Sequence, residues 1–95
     1  MESNFNKTLK FNVSIEYCGG WGYGKYFNAV KAQIIAVYPE ANVEGMSVPG
    51  NTGCFEVKVE GEELIYSKLG GAGYPTEDKY ATILAALKKE VEEGN

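Results

Sequence analysis

Leu9, Phe11, Val13, Ile15 and Tyr17 alternate with Lys10, Asn12, Ser14 and Glu16. A period of two over nine residues predicts a strand with one wet face. Cys18-Gly19-Gly20-Trp21-Gly22-Tyr23-Gly24 follows, and four glycines in seven positions exclude regular structure there. From Lys25 the period lengthens. Phe27, Val30, Ile34 and Val37 predict a helix with one buried face, flanked by Tyr26 and Tyr38 and stopped by Pro39. Asn42 to Val48 reads as a short strand interrupted by Gly45, and Pro49-Gly50-Asn51-Thr52-Gly53 as a loop on turn chemistry.

Phe55, Val57 and Val59 alternate with Glu56 and Lys58, and Glu60-Gly61-Glu62 turns the chain into a second short strand, Glu63 to Ser67. That pattern predicts a hairpin. Leu69 to Pro75 is a second glycine-rich connection. Thr76 suits an N-cap, Glu77 and Asp78 suit a first helical turn, and Tyr80, Ile83, Leu84, Leu87 and Val91 form a closing apolar stripe, with Gly94 just past its end. The expected architecture is an α/β two-layer domain of order β-α-β-β-β-α. Its four-stranded mixed sheet carries two helices on one face, and a right-handed crossover joins the strands around the first helix. Residues 9–92 form the expected domain, 1–8 a flexible N-terminal segment and 93–95 a tail.

Composition narrows the chemistry. The chain has 95 residues, room for a single core, and its apolar and charged fractions of 44% and 23% are those of a globular domain. Nine basic against thirteen acidic residues give a net charge of −4, which argues against nucleic acid as a partner. With no histidine and two cysteines, neither an imidazole-ligated zinc nor a histidine-based triad can be built, and no metal is expected. Met1 to Lys7 is polar, and the longest near-apolar run, Ala32 to Val37, is far below the ~20 residues of a membrane span. The expected compartment is the cytoplasm, where thiols stay reduced unless they have a redox task.

Three readings compete for the glycine loop. Gly19, four residues, Gly24 and Lys25 match a phosphate-binding loop except at its last position, where Tyr26 replaces the small hydroxyl residue that reaches magnesium. Cys18, just before a helix start, is a candidate thiolate reactive toward glutathione or protein disulfides, with Lys25 as a further source of positive field. Alternatively, Trp21, Tyr23 and Tyr26, with Tyr74 from the other glycine-rich connection, form an aromatic surface for a protein partner.

The chain resembles the selenoprotein W family, the small thioredoxin-like proteins of the Rdx group, from about Lys10 to Val91. The motifs that carry this are Val13-Ser14-Ile15-Glu16-Tyr17-Cys18-Gly19-Gly20 with Gly22-Tyr23 after it, Thr52-Gly53-Cys54-Phe55-Glu56-Val57, and Ser67-Lys68 followed by Gly71-Ala72-Gly73-Tyr74-Pro75. The resemblance implies a thioredoxin-like fold and a Cys-x-x-selenocysteine or Cys-x-x-Cys redox motif in the loop after the first strand. Cys18 matches its first member, but Trp21 stands at the position of selenocysteine or the second cysteine. Two explanations stay open. Trp21 is a reading of the selenocysteine codon, one base from that of tryptophan, or the chain is a natural member without the second redox centre.

The implied role is thiol redox chemistry through Cys18, with glutathione as co-substrate or a protein thiol as partner, and no bound cofactor. The site residues are then Cys18 and Trp21 with the loop residues Gly19, Gly20, Gly22, Tyr23, Thr52 and Gly53. Cys54 is a candidate resolving thiol, although alternation turns it to the face opposite Phe55. The competing class is a non-enzymatic interaction module built on loop 19–24.

Overall fold

The computed structural model describes residues 9–93. The alternating segment becomes β1 (Asn12–Cys18), which starts where partners exist on both sides: Asn12 opposite Asn42, and Val13 opposite Val43 and Val59. The 3.6-period segment becomes α1 (Gly24–Val37), with Val30 and Ile34 buried. It crosses over to β2 (Asn42–Val48), which pairs parallel with β1 from Asn12↔Asn42 to Cys18↔Val48. Next come β3 (Phe55–Val59), antiparallel to β1, and β4 (Glu63–Ser67), antiparallel to β3. The sheet order is β2-β1-β3-β4, and α2 (Tyr80–Lys88) closes the domain.

Gly45 reads as an interruption in sequence and is a packing requirement in space. A Cβ there would lie 2.7–3.0 Å from three ring atoms of Phe27. The absent side chain lets Phe27 of α1 lie on the sheet, stacked 5.4 Å from Tyr17. The β3–β4 turn is of the primed kind that matches strand twist: Glu60 and Gly61 have φ of 54° and 75°, and the Glu62 N–H donates to the Val59 carbonyl at 3.1 Å. Glu60 tolerates the left-handed region because both its N–H and its carboxylate bind Asn12. A register shift after Val57 places Tyr66 opposite Val57, facing the core, and Leu64 opposite Lys58, facing out.

Val13, Ile15, Phe55, Val57 and Val59 of the sheet meet Val30 and Ile34 of α1 and Ile83 and Leu87 of α2 in one core. Each fully buried aliphatic side chain contributes about 1.5–3 kcal/mol relative to exposure. The other sheet face carries Asn12, Glu44 and Met46 exposed and Ser14, Glu16, Glu56 and Lys58 half-buried. One wet face therefore gives two layers, as expected.

The start of the second helical segment corrects the sequence expectation. Glu77–Lys79 is a 3₁₀ turn, and the Thr76 hydroxyl donates to the Asp78 carboxylate instead of capping a backbone N–H. That bond holds the Asp78 pKa below the ordinary carboxylate value. After α2 the chain makes a wide turn, Lys89–Glu93, pinned to α1 by the Tyr38 hydroxyl donating to Glu92 at 2.7 Å. The expected N-terminal segment 1–8 and the Gly94 cap lie outside the described residues.

Candidate functional site

β1 delivers Cys18 to the C-terminal end of the sheet, where two loops close over it. Gly19 donates to the Val48 carbonyl and Gly20 to the Gly50 carbonyl, at 2.9 and 3.0 Å, stitching loop 19–22 to loop 49–53. The stitching needs glycine: a Cβ on Gly20 would sit 2.0 Å from the Gly50 oxygen. On the other side, the Cys18 N–H donates to the Cys54 carbonyl at 2.9 Å, which extends the β1–β3 ladder one step beyond Tyr17↔Phe55.

The Cys18 side chain has no exposed surface, but its sulfur has polar company. Burial raises its pKa, while the N–H groups of Gly53 and Trp21 and the Thr52 hydroxyl lower it, and the net shift is downward. The Gly20 N–H also faces the sulfur but is already committed to the Gly50 carbonyl, so its share is the smallest. As a thiol, Cys18 instead donates to the Gly50 carbonyl at 3.5 Å. Hydrogen-bond donors aimed at a sulfur favour the thiolate, the species that attacks disulfides. These donors come from the turn after β1 and from the loop before β3. The first-turn amides of α1, expected from sequence to hold the charge, are not among them, and Lys25 is not involved either: its Nζ lies 5.4 Å from the Tyr26 ring centroid.

Cys54 is buried as well, and the Thr52 hydroxyl donates to its Sγ at 3.2 Å. The same Thr52 hydroxyl thus bonds to the Cys54 sulfur and lowers the Cys18 pKa. Carried one residue before the start of β3, alternation turns Cys54 away from Phe55. The same alternation turns Cys18 away from Tyr17, so the two thiols lie on one side of the ladder.

Trp21 is 49% exposed, and its ring lies across Gly53 so closely that a Cβ there would be 2.6 Å from Cζ3. Tyr23 is the hub of the aromatic group, with its ring centroid 5.9 Å from Trp21, 5.1 Å from Tyr26 and 6.1 Å from Tyr74. It belongs to the core, and burial pushes its pKa to about 12. The Tyr74 hydroxyl lies close by, but the buried Tyr23 hydroxyl makes no hydrogen bond. The four rings of the expected aromatic surface thus meet, but only Trp21 and Tyr74 are well exposed.

Lys68 was not singled out as a site residue from sequence, although it lies in one of the quoted motifs. Its Nζ sits 4.4 Å from the Tyr74 centroid, 5.8 Å from Trp21 and 5.9 Å from Tyr23. Glu56 holds the turn that presents it, accepting from the Ser67 hydroxyl and the Leu69 N–H. Only the fold joins these stretches, since Lys68 is remote in sequence from loop 19–24.

The phosphate reading fails on its donors. The N–H groups of Gly19, Gly20, Gly22 and Tyr23 are taken by Val48, Gly50, Gly19 and Cys18 carbonyls, so these four amides are not free to hold a phosphate. A cavity of ≈ 360 Å³ among Leu9, Phe11, Glu60 and Glu90 lies at the opposite end of the sheet and includes neither cysteine. Among the described residues there is no cluster of three metal-ligating side chains, and no helix is long and apolar enough to cross a membrane.

The family model of the Rdx family matches residues 12–86. The chain belongs to the Rdx family. It is 37% identical over 84 residues to selenoprotein W of Sus scrofa and of Macaca mulatta, covering 86% of this chain and 95% of each relative. Selenoprotein W of Danio rerio is 35% identical over 83 residues, covering 85% and 95%. In structure the chain is similar to a selenoprotein W-related protein from Vibrio cholerae, with a TM-score of 0.73 at 16% identity, covering 88% of this chain and 100% of that one. A protein from Bordetella parapertussis matches with a TM-score of 0.70 at 13% identity, covering 84% and 96%. The Rdx chain thus has the thioredoxin-like α/β fold of selenoprotein W-related proteins, and its family membership supports a redox-related role.

Proposed function

We propose that this Rdx protein does thiol-dependent redox work through Cys18 in the cytoplasm, with glutathione or a protein thiol as its reaction partner. The observation that carries the reading is the set of donors at the Cys18 sulfur: Gly53 and Trp21 N–H groups and the Thr52 hydroxyl, which lower its pKa against the opposing effect of burial. A thiolate held this way attacks a disulfide, forms a mixed disulfide and expels the other sulfur as thiolate. Trp21 occupies the place that selenocysteine or a second cysteine takes in the resembling family, so the loop retains a single thiol. The sulfur has no exposed surface, so exchange requires the 49–53 loop or the Trp21 ring to move aside.

The test is the pH dependence of Cys18 alkylation, followed by peptide mass analysis after exposure to glutathione disulfide. Reaction with a midpoint below the ordinary thiol value of ~8.5, and a product of Cys18 with glutathione disulfide, as a glutathione adduct or an internal disulfide, that disappears in Cys18→Ser, are expected. An ordinary midpoint, or an adduct that survives the substitution, refutes the reading. The exposure of Trp21 and Tyr74, 49% and 51%, favours a second reading, a protein-interaction module on loop 19–24. In that case alkylation follows the ordinary thiol, and Trp21→Ala abolishes partner capture while Cys18→Ser leaves it intact.

A further inference from the structure

We propose that Cys54 is the resolving thiol of Cys18 and that the two close a cross-strand disulfide at the end of the β1–β3 ladder. This rests on the reading of Cys18 as the reactive thiol and names the group that completes its chemistry.

The register carries the inference. The β1–β3 pairs run Val13↔Val59, Ile15↔Val57 and Tyr17↔Phe55, so the next pair in the series is Cys18 opposite Cys54. The ladder reaches it with one of the pair's two bonds: the Cys18 N–H donates to the Cys54 carbonyl at 2.9 Å, while the Cys54 N–H turns to the Thr52 hydroxyl. At the far end the Glu60 N–H donates to the Asn12 carbonyl at 2.8 Å, which puts the pairs with even residue numbers in the hydrogen-bonded class. Directly opposed residues of that class have Cα atoms about 5.5 Å apart and side chains on the same face. A disulfide takes Cα separations of ~4.4–6.8 Å, a range that spans the spacing of such a pair.

The side chains agree. Both thiols are free and buried, and the Thr52 hydroxyl donates to the Cys54 Sγ at 3.2 Å. The same hydroxyl lowers the Cys18 pKa, so Thr52 borders both thiols. The Gly53 N–H, next to Cys54 in the chain, also lowers the Cys18 pKa. Trp21, which has no thiol to offer, lies across Gly53, the residue before Cys54.

The chemistry balances with a disulfide as oxidant. The Cys18 thiolate attacks glutathione disulfide, forming a Cys18–glutathione bond and releasing one glutathione thiolate. Cys54 loses its proton to solvent and its thiolate attacks the Cys18 sulfur. The Cys18–Cys54 bond forms as the second glutathione thiolate leaves. Two protein thiols are oxidised by two electrons, and one glutathione disulfide is reduced to two thiols.

The full chain is treated with glutathione disulfide, quenched in acid, alkylated and mapped by mass spectrometry. In the wild type the expected product carries no glutathione, has lost two hydrogens, and yields a linked peptide pair containing Cys18 and Cys54. Cys54→Ser is expected to stop at one glutathione on Cys18. Because the wild-type map decides the matter alone, a poorly folding variant does not leave the question open. A wild type that accumulates glutathione on Cys18 while Cys54 remains alkylatable overturns the pairing and leaves the Cys18 reading intact. Failure of Cys18 to react in either protein overturns the Cys18 reading itself, and the pairing with it.

Discussion

Gly53→Ala separates backbone strain from the cover that Trp21 provides over the site. Gly53 has φ +69°, in the left-handed region, where a residue with a Cβ costs about 1–2 kcal/mol. The new Cβ would also meet Trp21 at 2.6, 2.9 and 3.3 Å, against ordinary carbon contacts of ~3.5–4.0 Å, so the ring must move by about 1 Å. Trp21 is half exposed and the atoms met belong to the far end of its ring, so that movement is cheap and the backbone term dominates. The expected loss is therefore about 1–2 kcal/mol, at ~4–8 °C of Tm per kcal/mol for a domain of this size. Gly61→Ala is the matched control, with φ +75° and nothing within 4 Å of the added Cβ. Urea unfolding should show similar losses for both variants. Trp21 is the chain's single tryptophan, so its emission reports the ring alone. Emission should shift to the red in Gly53→Ala and stay unchanged in Gly61→Ala, and Cys18 alkylation should quicken only in the former. A Gly53→Ala protein as stable as wild type with unchanged emission refutes the assignment of Trp21 as a lid pressed on Gly53.

Three further outcomes are expected from the same structure. Gly45→Ala should lose about 1–3 kcal/mol through overpacking against Phe27, and Phe27→Leu in the same chain should recover part of it; a neutral Gly45→Ala in denaturant unfolding contradicts the close approach of α1 to β2. Thr52→Val removes a hydroxyl that lowers the Cys18 pKa, so the midpoint of alkylation should move to higher pH while the circular dichroism stays native; an unmoved midpoint removes Thr52 from the site. Burial raises the pKa values of Tyr23 (to about 12), Tyr38 and Tyr66 above the unfolded value near 10. Their contribution to stability is therefore full below pH 10 and is lost as pH rises toward the folded values. Unfolding between pH 10 and 12 should release protons, Tyr38→Phe should flatten the decline, and a stability independent of pH across that window excludes buried phenols as its cause.

The periodicities were legible because each element buries one face. Alternation from Leu9 to Tyr17 and from Phe55 to Val59, and the Phe27-Val30-Ile34-Val37 spacing, are the imprint of a two-layer core on a linear chain. The motifs around Cys18, Thr52-Gly53-Cys54 and Ser67-Lys68 likewise sufficed to suggest the family and to single out Cys18 as the candidate thiol. What the tertiary structure decided are contacts between residues remote in sequence. Whether Cys18 faces the helix amides or those of Gly53 depends on how two loops close over the end of the sheet, and Lys68 reaches Trp21 because Glu56 fixes its turn. The relation of Cys18 to Cys54 shows the limit most plainly. Alternation within one strand says which way a side chain turns relative to its own neighbours, and register between strands says what it turns toward. Register is a property of the assembled sheet, set by hydrogen bonds between segments 36 positions apart, and no local pattern encodes it.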